Sequence, residues 1–226
     1  MKEADIYVFA DHVQFESRSW QCRNRIKAPG KCRWLTVPVM HSSLFGQIKD
    51  VKIANDHPWR CKHWNTLNSC YAKAPYFGIY SNFFKSLYEE LWTSLSELNI
   101  KIITYLASQL GLFPKFLRSS ELETEGKRSH LAMNICKSLG ADRYVSSIGA
   151  WEYMKEEHAE DLFEKEGIKL EFLKYSTPNY PQLFGDFIPD LSIVDCLFNC
   201  GNTASEIILQ KGPATFLSLR QSTLQT

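Results

Sequence analysis

The chain has 226 residues, a length at which one hydrophobic core suffices, so two full domains are not expected. Hydrophobic residues make up 44% and charged residues 23% of the sequence, a globular composition that excludes disordered, collagen-like and coiled-coil proteins. The sequence contains 26 basic and 25 acidic residues, a net charge of +1. The protein as a whole therefore has no strong positive field that would attract nucleic acid or an anionic membrane. Any anion-binding site must be local.

The apolar runs of the sequence are short. The longest covers residues 6–10, far below the roughly 20 residues that a bilayer span needs, and the first residues lack the regions of a signal peptide. We therefore expect a cytoplasmic protein without a membrane span. Its seven cysteines include no Cys-x-x-Cys pair, which favours reduced thiols over a disulfide framework.

The first half of the chain is predicted to contain three short strands followed by helices. Aromatic and β-branched residues indicate strands at 6–10, 34–39 and 51–54, with a basic, β-hairpin-like segment between the first two. Apolar residues at helical spacing then predict a helical region over about residues 57–111, entered through Pro58 and closed by Gly111. Its first helix has one apolar face, formed by Trp59, His63, Leu67 and Cys70.

Strands and helices alternate in the second half. Strands are predicted at 113–118, 143–146 and 168–174, and helices at 129–139, 151–166 and 191–199. This alternation is typical of an α/β fold with a mainly parallel sheet and covering helices. We predict one domain over residues 1–210 and a frayed C-terminal tail over 211–226.

A basic segment near the N-terminus is the first candidate site. It contains six basic residues and no acid between positions 17 and 33: Arg18, Arg23, Arg25, Lys27, Lys31 and Arg33. Guanidinium forks match phosphate oxygens, and Trp20 and Trp34 could stack on a base or sugar ring, with Asn24 as a further polar contact. A compact patch of this kind suits one or two phosphates better than nucleic acid. The alternative is a solvated hairpin face.

Two loops that follow predicted strands form a second candidate. Arg118, Ser119 and Ser120 come after one strand, and Ser146, Ser147 and Gly149 come after the next. In α/β folds the carboxyl ends of parallel strands are where ligands bind, and helix-terminal amides there can bind an anion. The alternative, which the sequence alone favours for both loops, is that they are ordinary serine-containing turns.

The sequence does not identify a catalytic residue. Ser192, Asp195 and Asn199 form a polar stripe on the last predicted helix, and His12 with Asp11 follows the first strand. Asp11, His12 and Asp195 are the candidates for acid or base chemistry, although core and cap positions are common for such residues. No metal site is predicted, and no cofactor is required by the sequence.

Several separated blocks resemble the WbqC-like family, in the family's order and covering about residues 5–201. The blocks are Asp11-His12-Val13-Gln14-Phe15, Ser19-Trp20, Arg23-Asn24-Arg25, Trp34-Leu35-Thr36-Val37-Pro38-Val39, Ala74-Pro75-Tyr76-Phe77, Arg118-Ser119-Ser120-Glu121-Leu122, Pro181-Gln182-Leu183-Phe184-Gly185, Phe187-Ile188-Pro189, Leu191-Ser192-Ile193 and Phe198-Asn199-Cys200-Gly201. Family members usually begin with a strand and a His-Gln-Pro segment before the position matching Ala4, and this chain is expected to lack them.

The resemblance implies a bacterial protein of O-antigen or surface-polysaccharide biosynthesis. The implied activity is transfer of an acyl or aminoacyl group, such as glycyl, onto a nucleotide-linked amino sugar. The implied partners are therefore that nucleotide sugar and an acyl or aminoacyl donor, with no nucleic acid. Two alternatives remain open at this point: a non-catalytic or truncated ligand-binding protein, and a nucleotidyltransferase-like enzyme suggested by architecture alone.

Overall fold

The computed structural model describes residues 1–211 and 214–219. The predicted α/β class is confirmed, with the following elements in chain order: β1 (Ile6–Phe9), β2 (Arg23–Ala28), β3 (Lys31–Thr36), α1 (Trp59–Tyr71), α2 (Phe77–Glu89), α3 (Leu95–Gln109), β4 (Lys115–Arg118), α4 (Arg128–Ser138), β5 (Arg143–Ser147), α5 (Trp151–Glu156), α6 (Ala159–Lys165), β6 (Lys169–Tyr175), α7 (Ile193–Cys200), α8 (Thr203–Glu206) and β7 (Ala214–Leu217). Within the described part of the chain, no helix has the length and apolarity that a bilayer span requires.

The chain divides into two compact units. Of the described residues, the first contains 1–9, 114–176 and 214–219, and the second contains 10–113 and 177–211. We call them the strand unit and the hairpin unit. The single-domain organisation over residues 1–210 stays a prediction.

The strand unit has two small sheets. β1 pairs in parallel with β4, with Phe9 opposite Arg118. β5 pairs in parallel with β6, and β6 pairs antiparallel with β7. Rings of Trp151, Phe163 and Phe172 fill the core beneath the second sheet. The predicted helix over 151–166 is interrupted at His158, which has a left-handed φ of 50° and separates α5 from α6.

The predicted tail contains an ordered strand. Residues 214–217 pair with the end of β6, as in the contact of Phe216 with Leu173, so the prediction of a frayed segment is wrong there. This strand could not be predicted from the sequence, because residues 214–217 are too few to establish a periodicity. Residues 212–213 and 220–226 of the predicted tail lie outside the described residues.

The hairpin unit combines the β2–β3 hairpin with helices. The hairpin is antiparallel, which confirms the hairpin-like basic segment, and α1, α2 and α3 occupy the predicted helical region. Residues 51–54 form only isolated bridges, such as Val39 with Ile53, so the strand predicted there is wrong. The core surrounds α7, where Phe198 packs against the rings of Tyr71 and Phe84.

Candidate functional site

One face of the hairpin carries three basic side chains. Successive residues of a strand point to opposite sides, so Arg23, Arg25 and Lys27 share one face of β2, while Asn24 lies on the other. Trp34 is directly opposite Arg25 on β3 and therefore shares that face. The turn before β2 contributes Trp20, whose ring centroid lies 5.2 Å from that of Trp34.

The two arginines and the two tryptophans form a cluster, which we call the arginine–tryptophan cluster (Trp20, Arg23, Arg25 and Trp34). The guanidinium carbon of Arg23 lies 4.3 Å from the ring centroid of Trp34. That of Arg25 lies 5.6 Å from the Trp20 centroid and 5.7 Å from the Trp34 centroid. Cation–π contacts at these distances hold the guanidinium groups in place without using their N–H donors on a carboxylate.

The two indoles of the cluster are exposed, whereas its two arginines are half-buried. Trp20 is 62% and Trp34 is 42% exposed, although large aromatic side chains usually contribute to a core. Among the described residues, neither Arg23 nor Arg25 has a carboxylate within 4 Å, and the Nε atom of each is buried without a hydrogen-bond partner. Two guanidinium groups beside two partly exposed indoles can bind a phosphorylated ligand that carries a flat ring.

A segment from the far end of the sequence lies along the hairpin; we call residues 181–192 the strap. The Nη2 group of Arg25 donates to the carbonyl oxygen of Asp190 at 3.0 Å, and the amide of Ser192 donates to the carbonyl of Arg25 at 2.8 Å. Within the strap, the Gln182 side chain bonds both the amide and the carbonyl of Ile188. These contacts fix the strap next to the arginine–tryptophan cluster.

Lys27 contacts the strap through two hydrogen bonds. Its side chain is only 1% exposed, and its ammonium donates to the carbonyl oxygens of Gly185, at 3.1 Å, and Asp186, at 2.5 Å. Backbone carbonyls are the natural partners of a buried ammonium where no carboxylate is within reach. Lys27 therefore positions the strap and is not available to a ligand.

Asp195 belongs to the same buried network. It is fully buried, and its Oδ2 accepts a hydrogen bond of 2.6 Å from the Tyr71 hydroxyl, which itself accepts one of 3.0 Å from the Lys27 amide. Burial raises the pKa of the Asp195 carboxyl, and the Tyr71 hydrogen bond and the Lys27 charge offset only part of that effect. The network joins α1, β2 and α7 through polar groups in the core.

The remaining predicted residues of the hairpin unit do not join the cluster. Arg18 is exposed, with a left-handed φ of 59°, and Asn24 accepts a hydrogen bond from the Arg25 amide. Asn199 is buried and donates to the Asp195 carbonyl one turn earlier. Asp11 is buried and its carbonyl accepts from the Lys49 amide, whereas His12 is half-buried. The functional roles of these residues stay predictions.

The loop residues predicted to bind an anion lie in the strand unit. Arg118 ends β4 and pairs with Glu121 at 3.8 Å, Ser119 is buried and Ser120 is exposed. Ser146 is buried near the end of β5, the exposed Ser147 precedes the 3-10 turn Ile148–Ala150, and the exposed Gly149 lies within that turn. Both loops follow strands as predicted, and their role in binding stays a prediction.

The residues that hold the site together could not be predicted from the sequence. Lys27 belongs to the basic segment but is buried in the structure, and no local pattern marks Tyr71 or Asp190 as partners of the hairpin. Their contacts with the hairpin span 44 and 165 residues, a separation at which no local spacing carries a signal. The sequence feature that drew attention to the strap was the run of family-like blocks between residues 181 and 193.

Comparisons with known proteins identify the family of this α/β protein. The model of the WbqC-like protein family matches residues 1–207. The chain is also 32% identical over 207 residues to Rv1507c of Mycobacterium tuberculosis, a protein described as uncharacterized, and the match covers 90% of this chain and 87% of that protein. No solved structure matches the chain significantly.

The chain belongs to the WbqC-like protein family. The resemblance noted in the sequence is thereby confirmed, and membership indicates a protein related to polysaccharide biosynthesis.

Proposed function

We propose that the protein is an acyl or aminoacyl transferase, glycyl transfer being the favoured case, that acts on a nucleotide-linked amino sugar in bacterial O-antigen or surface-polysaccharide biosynthesis. In this proposal Arg23 and Arg25 bind the diphosphate, and Trp20 and Trp34 stack on the base or the sugar. The observation that carries it is the arginine–tryptophan cluster, in which two guanidinium groups without a carboxylate partner among the described residues lie beside two exposed indoles.

The chemistry of the cluster supports a small phosphorylated ligand. A diphosphate offers several oxygens to forked N–H donors, and the two guanidinium groups lie on the same side of one strand. An exposed indole loses solvent contact when a ring stacks on it, which contributes favourable free energy to binding. The small extent of the cluster argues against a long polyanion, whose affinity depends on many phosphate contacts.

A titration of the protein with uridine diphosphate N-acetylglucosamine, uridine diphosphate and uridine tests the binding part. We expect saturable binding of the two diphosphates and a loss of about 1.5–3 kcal/mol, or about 10- to 150-fold in Kd, for Arg23→Ala. Arg33→Ala is the matched control. Arg33 is an exposed arginine of the same hairpin, but its side chain lies on the other face of the hairpin from Trp34. Equal effects of the two variants would refute a specific role for Arg23.

The activity part requires a product. Incubation with a nucleotide-linked amino sugar and a glycyl thioester should give a nucleotide sugar heavier by one glycyl group, detected by mass spectrometry. The second candidate function, ligand binding without turnover, is favoured by the burial of Asp195, which is fully enclosed and bonded to Tyr71. Binding of the diphosphates without any acylated product would support that candidate.

A further inference from the structure

We propose that the carboxylate of Asp190 recognises the free amino group of the sugar, so that the site prefers the amine over its N-acylated form. This inference rests on the proposed function, because it assumes that a nucleotide-linked amino sugar occupies the arginine–tryptophan cluster. It adds a specificity-determining residue to that site and assigns a role to the strap.

Asp190 lies beside the cluster. Its carbonyl oxygen accepts the hydrogen bond from Arg25 at 3.0 Å, and covalent geometry keeps its carboxylate carbon within about 5 Å of that oxygen. Thr177 donates a hydrogen bond of 2.7 Å to Oδ1, which leaves Oδ2 as an acceptor for a ligand. The residue is exposed, so a ligand bound to Arg25 can reach the carboxylate.

The charges around Asp190 suit a ligand that carries both signs. Among the described residues, no cation lies within 4 Å of the Asp190 carboxylate, although the Arg25 guanidinium is bonded to the backbone of the same residue. Because the Arg25 guanidinium and the Asp190 carboxylate do not pair with each other, each can bind a group of the opposite charge on one ligand. A sugar phosphate with a free ammonium group fits this arrangement, because its phosphate faces Arg25 and its ammonium faces Asp190.

Acylation of the amine removes that match. An amide nitrogen is neutral and carries one N–H donor instead of the three of an ammonium group. The carboxylate would then lose its ionic partner, and the added acyl group would have to fit beside the strap. A site of this kind binds the substrate of an N-acylation more tightly than the product.

The backbone at Asp190 makes Asp190→Asn a conservative test. Asp190 has a left-handed φ of 56°, and asparagine is, like aspartate, one of the few non-glycine residues that tolerate this conformation. Asparagine also retains an oxygen that can accept the hydrogen bond from Thr177. The variant therefore removes the charge and keeps the shape of the strap.

The experiment measures dissociation constants for uridine diphosphate and for uridine-diphosphate-linked 2-amino and 4-amino sugars, each with a free and with an N-acetylated amine. We expect the wild-type protein to bind at least one free amine about five- to tenfold more tightly than its N-acetylated form. Asp190→Asn should abolish that preference without weakening the binding of uridine diphosphate, because the variant removes a negative charge near the diphosphate. The matched control is Asp186→Asn, which removes another exposed carboxylate from the strap and should keep the preference.

The outcomes separate this inference from the proposed function. If uridine diphosphate binds in an Arg23-dependent manner but neither free amine is preferred, or if Asp190→Asn retains the preference, the role of Asp190 is refuted and the nucleotide-sugar site stands. If uridine diphosphate and its sugars do not bind at all, the proposed function fails and this inference fails with it. Thr177→Val, which releases Oδ1, should reduce the preference without abolishing it.

Discussion

The buried hydroxyl of Tyr71 offers a sharp test of the network beneath the site. Tyr71→Phe removes one oxygen that accepts from the Lys27 amide and donates to Asp195 Oδ2. The buried amide is then unpaired, at a cost of about 1–3 kcal/mol, and a hydrogen bond to a charged group is lost, at a cost of about 1.5–3 kcal/mol. Because Tyr71 is the donor to Oδ2 of Asp195 and Oδ1 makes no hydrogen bond with the described residues, we expect the free energy of unfolding to fall by about 3–5 kcal/mol.

Urea unfolding at neutral pH, followed by circular dichroism, measures this loss. The control is Tyr105→Phe, since the Tyr105 ring stacks on Phe83 and its hydroxyl makes no hydrogen bond within the described part of the chain. That variant should change the free energy of unfolding by less than about 0.5 kcal/mol. If Tyr71→Phe lowers the free energy of unfolding by less than about 1 kcal/mol, the reasoning is refuted. Neither of the two hydrogen bonds of the Tyr71 hydroxyl would then stabilise the protein as much as a hydrogen bond between buried groups should.

Two further expectations concern His63 and Gly201. Burial lowers the pKa of His63 to about 4, so between pH 7 and pH 4 the unfolded chain binds a proton that the folded chain does not. The free energy of unfolding of the wild-type protein should therefore fall by about 3 kcal/mol relative to that of His63→Gln from pH 7 to pH 4. Parallel pH profiles of urea unfolding for the two proteins would contradict this. A Cβ at Gly201, where φ is 59°, would overlap the ring of Tyr76, so Gly201→Ala should lower the unfolding free energy by about 2–4 kcal/mol. That penalty should shrink in a Tyr76→Ala background, and an unchanged penalty would exclude the steric cause.

Helices with one apolar face could be predicted from the sequence because their periodicity is local. The spacing of Trp59, His63, Leu67 and Cys70 identified the buried face of α1, and all four are buried. The start of α2 at Phe77 could not be predicted in this way, because Gly78 and Ser81, which have a weak helix preference, both lie inside the helix. Tertiary packing outweighs the weak helix preference of single residues.

The arrangement of the site could be predicted only in part. Clustered arginines with Trp20 indicated an anion site on the hairpin, and strand alternation brings Arg23 and Arg25 together there. Asp195 was expected on a polar stripe of an amphipathic helix, but residues Val194 to Cys200 of α7 are all buried. A polar residue on such a helix needs buried partners, and sequence spacing does not reveal them.

The long separation between the hairpin and the strap has a consequence for synthesis. The hairpin closes on itself through neighbouring residues, but the oxygens that receive the Lys27 ammonium are 158 and 159 positions further on. At about 5–20 residues per second, a ribosome needs roughly 10–30 s to supply them. During that interval Lys27 and Arg25 lack their partners on the strap, so these hairpin–strap contacts form only after residues 181–192 have been synthesised.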